Sequence, residues 1–121
     1  MLWTAEDAVS FAEHHIAVWN RLDPHEIVEL YAENVELTSP FAEQVVGTPV
    51  VRGRDGLRDY FGRAVGANPG LRFEIVDVLR GLDGITLYMR GVGGRLVADV
   101  LVVNADGLIE KVSAYYSCSP S

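Results

Sequence analysis

Two residues in this chain break the pattern around them, and both are of types that hold or move protons. Asp99 stands in the middle of the run Leu96-Val97-Ala98-Asp99-Val100-Leu101-Val102-Val103. On a strand it shares a face with Val97, Leu101 and Val103, the face that should look inward. A carboxylate there is costly unless it is paired or protonated. His15 is the second. It falls with Ala8, Phe11, Ala12, Val18, Trp19 and Leu22 on the apolar face of a helix, whereas His14 turns towards the polar side. Each residue also has a purely structural reading. A core histidine can bond to backbone, and a buried aspartate can cap a turn or pair with an arginine.

Other familiar chemistry is missing from the sequence. There is no Gly-x-Gly-x-x-Gly after a strand, no phosphate loop ending in Gly-Lys-Ser/Thr, and no Gly-x-Ser-x-Gly elbow. No cysteine pair or His-Glu-x-x-His sets up a metal site. His14 and His15 are neighbours, so on a helix they point about 100° apart and cannot easily share a metal. His25 lies among carboxylates in a first helical turn and reads as solvated. Cys118 has no basic neighbour to activate its thiolate.

The elements that must position Asp99 and His15 fit one domain, 1–121. The chain is 49% hydrophobic and 22% charged, as expected of a globular protein rather than a disordered one. Lys+Arg is 10 against Asp+Glu 17, a net charge of -7, which argues against general nucleic-acid binding and against anionic membrane surfaces. With one cysteine no internal disulfide can form. The start turns acidic at once and lacks the basic region of a signal peptide, and no apolar run is long enough for a membrane span. The expected location is the cytoplasm.

Thr4 and Asp7 form a capping-box pattern ahead of the first helix. Asp23-Pro24 starts a second, short helix that carries Ile27, Val28, Leu30 and Tyr31 into the core. Val35, Leu37 and Ser39 alternate with Glu36 and Thr38 as in a half-buried strand ending at Pro40. Residues 41–51 show no clear period and read as a loop or short edge hairpin. Residues 53–67 form a third helix with Leu57, Tyr60, Phe61, Ala64 and Val65 on its inner side, stopped by Asn68-Pro69-Gly70. Four strands follow at 71–82, 85–91, 95–104 and 108–117, separated by tight-turn sequences that force antiparallel neighbours. Helices first and then a meandering sheet make an α+β fold. The strand carrying Asp99 is apolar on both faces. Helices cover one. The other, with Val100, Val102, Tyr88 and Tyr115, is the expected surface of a homodimer, the alternative being a curved sheet closed by its own loops.

This order of elements resembles the nuclear transport factor 2-like superfamily, and most of all its SnoaL-like polyketide cyclase and ketosteroid isomerase-like branches. The residues carrying the resemblance are Trp19-Asn20-Arg21-Leu22-Asp23 with Ile27 to Ala32, Val35 to Pro40, Arg52 to Phe61, and Asp106-Gly107-Leu108-Ile109 to Tyr116. The likeness implies a conical, curved antiparallel sheet, mixed at its edge, wrapped around three N-terminal helices, with an apolar pocket at the open end. Trp19, Tyr31, Phe41, Tyr60, Phe61, Met89, Val112, Ala114 and Tyr116 would line that pocket and bind a small apolar molecule. It is specific for fold and weak for activity.

Ketosteroid isomerases use a Tyr on the first helix, an Asp that moves the proton at the end of the first strand, and a second, protonated Asp on a later strand. By position these fall on His15, Ser39 and Asp99. Ser39 cannot act as a base of that strength, so steroid isomerisation is not expected. The resemblance instead makes His15 and Asp99 a dyad across the pocket. Asp99 would accept from one ring nitrogen, leaving the other to take or give a proton near neutral pH. Ser39 and Tyr60, with Tyr31 or Tyr116, would donate to a developing oxyanion. Such a site suits cyclisation, isomerisation, dehydration or epoxide opening, and needs no metal or other cofactor. The alternative is a non-catalytic ligand-binding or dimerisation module of the same fold.

Overall fold

A computed structural model describes residues 3–118, so both ends of the expected 1–121 domain lie outside the described residues. Helix α1, Ala5–Trp19, starts where the capping pattern placed it. The Asp7 amide donates to Thr4 Oγ1 at 3.0 Å and the Thr4 amide returns to Asp7 Oδ2 at 3.4 Å. Its inner face buries Ala8, Ala12, His15, Ile16 and Val18. Leu22 is not on that face: the helix has ended, and Leu22 turns the chain with φ 56°.

Helix α2, Pro24–Ile27, is capped by the Asp23 carboxylate, which accepts from the His25 amide, and a single 3-10 turn, Val28–Leu30, follows. Strand β1, Tyr31–Thr38, begins earlier than the simple alternation showed. Its register against the last strand shifts between Tyr31 and Glu36. That irregularity exposes Glu33 and Asn34 together and hides the first half of the strand from a period-two pattern.

Residues 41–51 are not a plain loop or hairpin. They carry a fourth helix, α3, Pro40–Val46, and a short strand β2, Val50–Arg52, paired antiparallel with β1. Ser39 caps α3, Pro40 occupies its first position, and Gly47 ends it with φ 82°. The physical cause is the one already recognised at Asp23-Pro24: a side-chain oxygen to accept the first free amides and a proline preset for helix. Helix α4, Gly53–Ala67, then buries Leu57, Tyr60, Phe61 and Ala64.

Four strands complete the chain: β3, Glu74–Arg80; β4, Gly84–Arg90; β5, Leu96–Val103; and β6, Ile109–Tyr116. Residues 71–73 stay outside β3 because the Asn20 side chain takes both backbone groups of Phe73, accepting from its amide at 2.7 Å and donating to its carbonyl at 3.0 Å. The sheet order is β2-β1-β6-β5-β4-β3. All neighbours are antiparallel except β1 and β6, which run parallel. The fold is therefore α+β, with a curved, unclosed mixed sheet and four helices rather than three. At the start of β4 the backbone passes so close to β5 that a Cβ on Gly84 would lie 1.8 Å from the Leu101 carbonyl oxygen.

Helix α1 packs against β3 and α4 against β1, over the inner face of the sheet. Val97, Leu101 and Val103 of β5 are buried there. On the opposite face Val100 is 39% exposed and Tyr115 65%, so no described element of this chain covers them.

Candidate active site

The helices do not fill the inner face of the sheet. They leave a cavity bounded by α1, β1, the start of α3, α4 and strands β4 to β6. The centre of a water-sized sphere can occupy about 70 Å³ of it, several times what one water needs. His15 and Trp19 come from α1, Tyr31 from β1, and Ser39 and Phe41 from the head of α3. Tyr60 and Phe61 come from α4, Met89 from β4, Asp99 from β5, and Val112, Ala114 and Tyr116 from β6. Every residue singled out from the sequence thus stands on the wall of one cavity. Asn68, Leu71, Phe73, Gly91 and Val92 line it too and were missed. They sit on connections, where no periodicity marks which side faces in; the breaker signals at Asn68 and Gly91 gave only the turns.

One wall is a cluster of hydroxyls. Ser39 accepts from the Phe41 amide at 3.1 Å, which is its capping role. The same Oγ lies 3.4 Å from the Tyr116 hydroxyl, and either can donate. Ser39 also lies near the Tyr60 hydroxyl and partly offsets the upward push of burial on that phenol. Capping orients Ser39, the expected oxyanion donor at the strand end, on the cavity wall. On another wall Trp19 Nε1 donates to the Tyr31 hydroxyl at 3.2 Å. Trp19 stands edge-on to Phe61 with ring centroids 4.6 Å apart, and Tyr31 faces Phe61 at 5.6 Å. Edge-on and tilted packing of this kind is the favoured arrangement of aromatic rings, and the Trp19 and Tyr31 tips satisfy each other.

Burial sets the proton affinities. It pushes the Asp99 carboxyl up from 3.8 to about 7, because no described cation offsets its desolvation. Burial likewise pushes Tyr31, Tyr60 and Tyr116 up, and the Asp99 charge adds to this in each, so all three phenols keep their protons. His15 is 2% exposed, and burial, helped by the His14 charge, lowers it from 6.5 to about 3. It is a neutral imidazole at physiological pH. Its Nδ1 is buried without a hydrogen-bond partner. Among the described residues no hydrogen bond or ion pair joins His15 to Asp99; they share the cavity without touching. The Tyr31 ring stands edge-on to the imidazole, with ring centroids 6.2 Å apart.

Residues 12–112 match the family model of the SnoaL-like domain. The chain belongs to the SnoaL-like family. A SnoaL-like protein of unknown function from Burkholderia thailandensis is 31% identical, with a TM-score of 0.88 over 94% of this chain and 97% of that one. SalBIII, an epoxide hydrolase/cyclase-like enzyme with a role in pyran ring formation in salinomycin, is 21% identical, with a TM-score of 0.71 over 93% and 92%. Bal32a, from a soil-derived mobile gene cassette, is also 21% identical, with a TM-score of 0.76 over 94% and 92%. The latter two share the fold and, at that identity, nothing finer. No curated protein matches this SnoaL-like chain in sequence.

Proposed function

We propose that this SnoaL-like protein is a small-molecule enzyme of cofactor-independent acid/base chemistry, of cyclase, isomerase, dehydratase or epoxide-hydrolase type. Its substrate is an apolar molecule carrying a carbonyl or an epoxide. The observation that carries this reading is Asp99: a carboxyl raised to about 7 on the wall of an apolar cavity with hydroxyl donors on another wall. Near neutral pH such a group is available as both base and acid. The ionised carboxylate takes a proton from the carbon beside a carbonyl, or from a water that opens an epoxide. The carboxylic acid then returns it to carbon or oxygen. Ser39, Tyr60 and Tyr116 hydroxyls donate to the oxygen on which charge develops, and being undissociated they remain donors throughout. Neutral His15 completes the dyad through the bound substrate or a water, not by direct contact. Trp19, Tyr31, Phe41, Phe61, Met89, Val112 and Ala114 hold the apolar body.

The expected unit is a homodimer through the outer sheet face, in the cytoplasm. Among the described residues no helix is long and apolar enough to cross a membrane.

A non-catalytic ligand carrier is the second reading. What favours it is Ser39 at the strand end where an isomerase of this fold carries its shuttling carboxylate, together with the lack of contact between His15 and Asp99. The test is turnover of cyclic ketones, polyketide-like carbonyls and epoxides by the wild type, Asp99→Asn and His15→Ala. The enzyme reading expects a kcat/KM profile that bends near pH 7, and a loss of about 10²–10⁴-fold in Asp99→Asn with the fold retained. An Asp99→Asn variant that turns over a wild-type substrate at full rate ends that reading.

A further inference from the structure

The cavity's mouth differs in charge from the rest of the molecule. Two surface grooves adjoin it through shared lining residues. One, between the end of α4 and the β4–β5 turn, shares Asn68, Leu71, Gly91 and Val92 with the cavity. The other, beside α3, shares Phe41, Val92 and Tyr116. The first groove is lined by Arg72 and Arg90 and the second by Arg95. All three are exposed. The Arg72 and Arg95 guanidiniums have no hydrogen-bond or ion-pair partner among the described residues, and the Arg90 guanidinium makes only one long donation, 3.3 Å to the Gly94 carbonyl. The other arginines are engaged, as Arg21 is with Glu26 and Arg54 with the Tyr31 carbonyl. One acid shares the rim, Glu74, opposite Arg90 in the β3–β4 register without pairing with it.

Three guanidiniums against one carboxylate thus surround the entrance of an apolar cavity in a chain of net charge -7. Inside, the ionisable group is an acid, Asp99, which carries the opposite charge when ionised. A ligand with a negative head and an apolar body has one favourable orientation here. The body enters the cone, away from water, and the head stays at the rim, where it meets guanidinium donors and avoids Asp99. We infer that the ligand of this cavity is an amphiphilic anion, with a terminal carboxylate or phosphate held at the mouth by Arg72, Arg90 and Arg95. This rests on the reading of the cavity as a small-molecule site and names the class of molecule it takes.

The test is calorimetric titration of the full chain at pH 7 with octanoate, octyl phosphate and octanol, which share one apolar tail. At least one of the anions binds about tenfold more tightly than the alcohol, the sum of a few exposed charge pairs. Added salt narrows that gap. Combined Arg72→Gln, Arg90→Gln and Arg95→Gln closes it, while combined Arg21→Gln, Arg52→Gln and Arg63→Gln, which removes as many charges from residues lining neither groove nor the cavity, does not. A preference for octanoate assigns the head as a carboxylate, and a preference for octyl phosphate as a phosphate. If octanol binds as well as both anions, or the gap survives the triple substitution, the inference is overturned while the cavity remains a ligand site. If none of the three binds, the small-molecule reading itself fails.

Discussion

On the inner face of β5, Val97, Leu101 and Val103 are buried around Asp99, and the helices close over them. On the outer face of the same strand Val100 is 39% exposed, and Tyr115 on the neighbouring strand is 65% exposed. Apart from Asp99 the two faces are equally apolar in sequence. The inner one is interrupted by a carboxylate and the outer one is not. An interruption costs free energy only where water has been removed, and that cost appears as the raised proton affinity of Asp99. An uninterrupted apolar face open to water is unusual for another reason: the expense is borne in solubility until a partner covers it. Under the proposed function the inner face serves the ligand, and the outer face is the expected dimer surface.

The sharpest way to break this contrast is to truncate each face. Leu101→Ala should cost about 2–5 kcal/mol, because Leu101 is buried and its removal leaves a hole. Val100→Thr should stay within about 1 kcal/mol when measured on the dissociated chain. Urea unfolding of both variants decides it, and equal losses would mean that the outer face is as enclosed as the inner.

Next in size is the pH dependence of the inner face. The folded-state value of His15 is lowered from 6.5 to about 3, so its share of stability is complete above 6.5 and lost as pH falls towards 3. The folded-state value of Asp99 is raised from 3.8 to about 7, so its share is complete below 3.8 and lost as pH rises through 7. Between about pH 4 and 6.5 the two slopes oppose each other. The folded chain keeps both groups neutral, whereas the unfolded chain keeps both charged, so the pair binds one proton in either state. Wild-type stability should be nearly flat in this window as far as these groups set it. Asp99→Asn should lose stability on acidification across it, and His15→Leu should lose stability as pH rises across it. Each change should be on the order of 2–4 kcal/mol. Melting temperatures of both variants from pH 4 to 8 read the signs directly, and parallel slopes would disprove the assignment.

The smallest effect on the fold belongs to the outer face. Tyr115→Glu should change the stability of a single chain by roughly 0.5 kcal/mol or less yet shift the protein from dimer to monomer in sedimentation. A monomeric wild type at high concentration would remove association as the reason for the exposed face.

Much of this was legible beforehand for definite reasons. The cap at Thr4, the Asp23-Pro24 start and helix 53–67 are local signals, decided within one or two turns of chain. Helix α3 carries the same kind of signal at Ser39-Pro40, but it is only seven residues long. That is too short for apolar periodicity to show, so the cap passed as a strand end. The onset of β1 was hidden by an irregularity that depends on pairing with β6, far away in sequence. Asp99 and His15 could be picked out as exceptions because each sits in an otherwise apolar pattern.

What the sequence by itself determined is the order of the elements outside residues 40–52, the inward side of the longer helices and of β5, and the presence of two proton-holding residues on those faces, all consequences of short-range backbone preference and hydrophobic period. Only the tertiary structure decided that His15 and Asp99 share a cavity without a hydrogen bond between them, and that Ser39 meets Tyr116 on its wall. It also decided that Arg72, Arg90 and Arg95 ring the mouth. These are distances between side chains on elements far apart in the chain. They follow from the curvature and packing of the whole sheet, and no local pattern encodes them.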